Sequence, residues 1–99
     1  MLDLATARCS QFAACVGQTF ELPATTGSIT LTLAAARPLG TAHPGATHTP
    51  FALTFHSTPA LRLPQGIYRL ENAALGTMEI FLVQIAADAT ASHFEAIFN

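Results

Sequence analysis

Ser28-Ile29-Thr30-Leu31-Thr32-Leu33-Ala34 alternates apolar and polar side chains without a break. Successive side chains of a strand point to opposite faces, so this period of two predicts a half-buried β-strand. Ile29, Leu31 and Leu33 fall on one face and Thr30 and Thr32 on the other. A lone strand or hairpin is marginal in water, so the chain must supply further strands to pair with this one.

Those partners are readable. Thr19 to Leu22 alternates and stops at Pro23. Phe51, Leu53 and Phe55 form an apolar face, with Thr54 and His56 pointing away. Ile67 to Leu70 is a short strand with Tyr68 and Leu70 on one side. Met78 to Ile85 is almost continuously apolar, which predicts a central strand buried on both faces: Phe81, Val83 and Ile85 on one, Ile80 and Leu82 on the other. Phe94, Ala96 and Phe98 alternate with Glu95 and Ile97 to close the series.

Turn residues separate these runs. Thr26-Gly27 and Ala73-Ala74-Leu75-Gly76 are two such breaks. Leu63-Pro64-Gln65-Gly66 is a third. Proline suits the first central position of a turn and glycine a left-handed one, so this stretch reads as the hinge of a β-meander, with Leu63 as anchor and Gln65 at the tip. Leu61 and Leu63 read as isolated apolar anchors, and Pro38 to Thr49 and Ala86 to Ser92 as exposed loops. Before the first strand, Thr6 to Gly17 carries helical signals: Thr6 as cap, Cys9, Phe12 and Val16 as an apolar stripe, and Gly17 as the terminating residue. So short a helix needs a sheet to pack on.

The expected fold is therefore mainly β, one domain over residues 1–99. A short helix at about 6–16 precedes about six antiparallel strands between about 18 and 98. An apolar sheet of this size must curl to hide its edges, giving a curled sheet or a small, partly open barrel with the helix across one mouth.

Composition narrows the functional classes. The chain has 99 residues, of which 51% are apolar and 10% charged, against about 25% charged in an average domain. Such a surface is either neutral, through its many alanines and threonines, or covered by a partner. There is no lysine, the arginines Arg8, Arg37, Arg62 and Arg69 are dispersed, and the net charge is -2. Nucleic-acid binding needs clustered cations, so it is not expected. No apolar run reaches the ~18 residues of a membrane-spanning helix and no signal peptide is evident, so a cytoplasmic location is the default, with delivery as part of an assembly compatible with it.

Catalytic and metal signatures are absent. His43, His48, His56 and His93 are scattered, without the paired spacing of a zinc site. Cys9 and Cys15, six apart near the N-terminus, read as free structural thiols. Glu21, Glu71, Glu79 and Glu95 take outward strand positions, with Arg69 near Glu79 or Glu95, and nothing selects two carboxylates as an acid and base pair. Neither a GxGxxG nor a P-loop occurs. No catalytic residue, metal ligand or cofactor is assigned.

Taken together, Pro50-Phe51-x-Leu53-x-Phe55, Leu63-Pro64-Gln65-Gly66-x-Tyr68-x-Leu70, Leu75-Gly76, Phe81-Leu82-Val83 and Glu95-Ala96-x-Phe98-Asn99, preceded by Phe12 and Gly17-x-x-Phe20, resemble an uncharacterised bacterial domain family. The resemblance runs from Phe12 to Asn99. It implies short proteins, some encoded beside phage-tail-collar-like proteins, and no known catalytic residues. The resulting expectation is a non-enzymatic structural or protein-interaction domain, an accessory to a phage-tail-like or secreted assembly, with a tail-collar-like protein or a second copy as partner. The alternative is a small-molecule or glycan-binding barrel whose mouth is framed by Pro38–Thr49 and Ala86–Ser92.

Overall fold

A computed structural model describes residues 8–24, 27–39 and 50–98. It holds one short helix, α1 (Cys9–Ala13), and six strands: β1 (Thr19–Ala24), β2 (Gly27–Pro38), β3 (Phe51–Ser57), β4 (Gly66–Asn72), β5 (Gly76–Ala87) and β6 (Ser92–Phe98). All pairings are antiparallel. The strands close into a barrel in the order β1-β2-β3-β6-β5-β4. The expected mainly β fold is present, and the sheet is closed.

The strand order divides the barrel into two three-stranded meanders, β1-β2-β3 and β4-β5-β6. Each has a middle strand of 12 residues. Each middle strand is bulged against the third strand of its meander, at Leu33/Ala35 in β2 and at Gln84/Ala86 in β5. Bulges sharpen the local twist, which lets a long strand bend around a narrow barrel. The sequence shows no repeat that anticipates this matching.

The meanders join along two seams of unequal strength. β3 and β6 match residue for residue from Phe51↔Phe98 to Ser57↔Ser92. β1 and β4 share one ladder pair, Glu21↔Glu71.

Inward-facing residues fill the interior. Phe20, Leu31, Leu33, Phe51, Leu53, Phe55, Leu70, Met78, Ile80, Leu82 and Phe94 are all fully buried. Phe20 meets Phe55 edge-on at 5.2 Å. At one end of the barrel Phe12 of α1 packs on Phe51 and Phe98, whose rings stack at 4.6 Å.

Four local expectations change. The helix is five residues long, too short for a stripe at i+7, so the chain turns after Ala13 and buries Cys15 while Val16 remains exposed. Gly17 is left-handed (φ 90°) and redirects the chain into β1, as expected. Thr6, its expected cap, lies outside the described residues; the Arg8 N–H instead donates to Gln11 Oε1 at 2.7 Å. Second, Gly66 does not have a positive φ; it is the first residue of β4, paired with Leu82. Third, Leu63 to Gly66 is no meander hinge, because residues 58–65 carry the chain past β6 and β5 to reach β4. Leu61 and Leu63 of this crossover pack on the core. The Gln84 side chain fixes it, accepting from Leu63 N–H and donating to Leu61 O, both at 3.0 Å. The Tyr68 hydroxyl donates to Pro64 O at 2.5 Å. Fourth, β5 is not buried on both faces: Phe81 and Ile85 are 52% and 51% exposed. A closed barrel has one interior, and the opposite face of every strand looks outward.

Candidate functional site

The outer face of β4, β5 and β6 is built by register. Ile67 of β4 stands directly opposite Phe81 of β5. Val83 pairs with Glu95 at the end of the β5–β6 ladder, and two residues beyond that pair on each strand Phe81 and Ile97 line one groove with Ile67. Ile67, Phe81 and Ile97 thus form an apolar row across three strands, at 69%, 52% and 49% exposure. Scattered apolar side chains on a surface are ordinary; a contiguous row is what marks a contact face.

A groove of about 490 Å3 opens along this row, lined by Ile67, Glu79, Ile80, Phe81, Ala96, Ile97 and Phe98. It lies beyond Val83↔Glu95, where the ladder between β5 and β6 stops. Glu79 is its charged lining residue. Arg69 is the register partner of Glu79, yet no ion pair forms between them, and neither side chain has a hydrogen bond or ion pair among the described residues. Glu95, the other expected neighbour of Arg69, is bound by Arg37 at 3.5 Å.

A second groove, of about 460 Å3, lies over the weak seam and is lined by Gly17, Gln18, Thr19, Glu21, Glu71, Asn72 and Ala73. Here the fold does bring two of the sequence's carboxylates together, since Glu21 and Glu71 are the single β1–β4 pair. The Thr30 hydroxyl lies 2.9 and 3.1 Å from the two Glu21 oxygens, which ties that carboxylate to the sheet surface. Asn72 closes the groove's buried side. Its amide donates to Thr19 O at 3.0 Å and Gln18 Oε1 at 3.3 Å, while its Oδ1 accepts from the N–H groups of Ala74 and Leu75 at 2.9 Å. Nothing in the sequence reading singled out Asn72; an asparagine four residues before the turn glycine Gly76 is the available signal.

The histidines divide. His56 and His93 face each other across β3 and β6, ring centroids 5.0 Å apart. His93 Nε2 lies 3.1 Å from Asp88 Oδ2. Asp88 also accepts from the Thr90 hydroxyl at 2.6 Å, the Thr90 N–H and the Ala91 N–H. These bonds, Thr90's first, hold the Asp88 carboxyl well below the usual carboxylate range. Among the described residues no three His, Cys, Asp or Glu side chains are grouped to hold a metal ion. His43 and His48 lie outside the described residues. Cys9 and Cys15 are both free.

Of the two loops expected to frame one mouth, most of Pro38–Thr49 lies outside the described residues. Its flanks, Pro38 and Phe51, pair at the end of β3 that meets Phe98, whereas Ser92, which follows the second loop, pairs with Ser57 at the other end of β3. Among the described residues no helix is long and apolar enough to cross a membrane.

A family model, "Domain of unknown function (DUF6916)", matches residues 7–98, and the chain belongs to that family. No curated protein and no solved structure shows significant similarity to it.

Proposed function

We propose that this barrel is a non-enzymatic protein-interaction domain whose contact face is the outer wall of β4, β5 and β6. The observation that carries the reading is the exposed row Ile67, Phe81 and Ile97 beside its groove. Contact faces are enriched in aromatic side chains and depleted of charge at their centre; the row Ile67, Phe81 and Ile97 is uncharged, with Arg69, Glu79 and Glu95 around it. The polar groove offers no comparable argument for catalysis: its carboxylates are a cross-strand pair on the sheet surface, one of them held by Thr30. For the larger context the reading keeps the phage-tail-like or secreted assembly that the resemblance implies.

A photo-reactive phenylalanine analogue at position 81, expressed in the native host, tests this. The expected result is a covalent adduct with a defined protein, lost when Ile67→Glu is added. An adduct with a small molecule and none with protein would instead favour a ligand groove of the size small-molecule sites have. No adduct at all would refute both readings.

A further inference from the structure

Resting on that reading of the wall, we infer that its occupant is a second copy of this chain, docked about a two-fold axis parallel to the strands and midway between β4 and β5. The argument is self-complementarity. Two-fold interfaces join one patch to itself, so each feature must be matched by another within the same patch. The register supplies such a match twice. Ile67 is level with Phe81, and one row along Arg69 is level with Glu79. The axis exchanges each β4 position with the level β5 position. Ile67 then stands over the partner subunit's Phe81, and Phe81 over the partner subunit's Ile67. In the next row Arg69 faces the partner subunit's Glu79, and Glu79 the partner subunit's Arg69.

The charges are what choose this occupant over an unrelated protein. Arg69 and Glu79 carry opposite signs, neighbour the apolar row, and have no partner among the described residues despite being directly registered. In the two-fold arrangement both are answered at once, with no like charges opposed. Ile67, at 69% the most exposed large apolar side chain among the described residues, comes to the rim of the groove beside the partner subunit's Phe81. Because two convex barrels meet along a line, the contact is small and the dimer weak.

Sedimentation velocity of the purified protein, from low to several hundred micromolar, reads this directly. The expected result is a concentration-dependent dimer that Phe81→Glu abolishes. Arg69→Glu and Glu79→Arg should each weaken association about tenfold, the scale of two exposed ion pairs turned to repulsion. The double variant Arg69→Glu/Glu79→Arg should restore it, because the pairs re-form with signs exchanged. All three substituted side chains lie on the exposed wall, and unchanged thermal melts of dilute samples confirm that each variant folds. A monomer at every concentration overturns the proposal. So does a dimer indifferent to Phe81→Glu, or a double variant no better than the singles. A monomer that still gives a protein adduct at position 81 in its host would sink the second copy while leaving the contact face standing; absence of both would sink both.

Discussion

The inner face of β5 presents Met78, Ile80 and Leu82, at 0%, 1% and 1% exposure; the outer face presents Phe81 and Ile85, at 52% and 51%. The outer face begins with Thr77 and Glu79, but from Phe81 through Val83 to Ile85 it is as apolar as the inner one, and the two sit in different surroundings. In a layered sheet, a strand apolar on both sides signals cover on both sides. A six-stranded barrel this narrow has its interior filled by inward side chains, and among the described residues no second layer lies outside β5. The apolar outer face is then left over from folding, and it is the face on which the proposed contact rests.

Paired truncations on this strand test the difference most directly. Ile80→Ala removes a fully buried side chain and should cost about 2–5 kcal/mol. Phe81→Ala, one residue along, should change stability by less than about 1 kcal/mol in dilute solution, because its ring is already half in water. Urea unfolding at low micromolar concentration gives both values. Equal losses would erase the distinction between the faces and restore a buried outer side to β5.

The next largest effect is expected where the β4–β5 hairpin meets β1. On that side the ladder amounts to Glu21↔Glu71, so the hairpin tip is held chiefly by the Asn72 amide on Gln18 and Thr19. Asn72→Ala leaves the Thr19 carbonyl and the two turn N–H groups without their side-chain partner at this part-buried site, and should cost about 1–3 kcal/mol. Hydrogen exchange should then quicken in β4 and the first half of β5 before β3 and β6, which are joined along their full length. Uniform quickening would show that the weak seam is not a separate opening unit.

These contrasts also mark how far the sequence could be read. Period two located every strand but β5, because each has one face in the core: Phe20 and Leu22, Leu31 and Leu33, Leu53 and Phe55, Leu70, Phe94 and Ala96; β5 showed instead as a continuous apolar run. Pairing was less legible. The β1–β4 closure rests on a single ladder pair and leaves no trace in composition. Proline and glycine at Pro64 and Gly66 are compatible with a tight turn, but the crossover is set by which strands are neighbours, a property of the whole barrel. Val16 and Cys15 exchanged roles because a five-residue helix cannot sustain a seven-residue stripe. The exposed apolar wall was hidden for a related reason: Phe81 and Ile85 extend an apolar run whose periodicity does not say whether the second face is buried or exposed.

The smallest effect belongs to a polar cluster on the outer surface, which bounds what outward polar contacts contribute beside the apolar row. Asp88 is held by Thr90, Ala91 and His93 and its carboxyl titrates well below the ordinary range. A carboxyl whose pKa is lower folded than unfolded stabilises the fold above its unfolded value of about 3.9, and that contribution is lost as pH falls through the folded value. Asp88→Asn should therefore lower the melting temperature slightly at neutral pH. The gap from wild type should narrow steadily as pH is taken below about 4, since only the wild type has ionic stabilisation to lose there. Because the carboxylate is solvent-screened, the gap should be smaller than that produced by Asn72→Ala. A gap that stays constant on acidification would mean that the bonds to Asp88 do not favour its ionised form, and a gap exceeding that of Asn72→Ala would place more of the barrel's stability on its outer surface than the contrast between the faces of β5 allows.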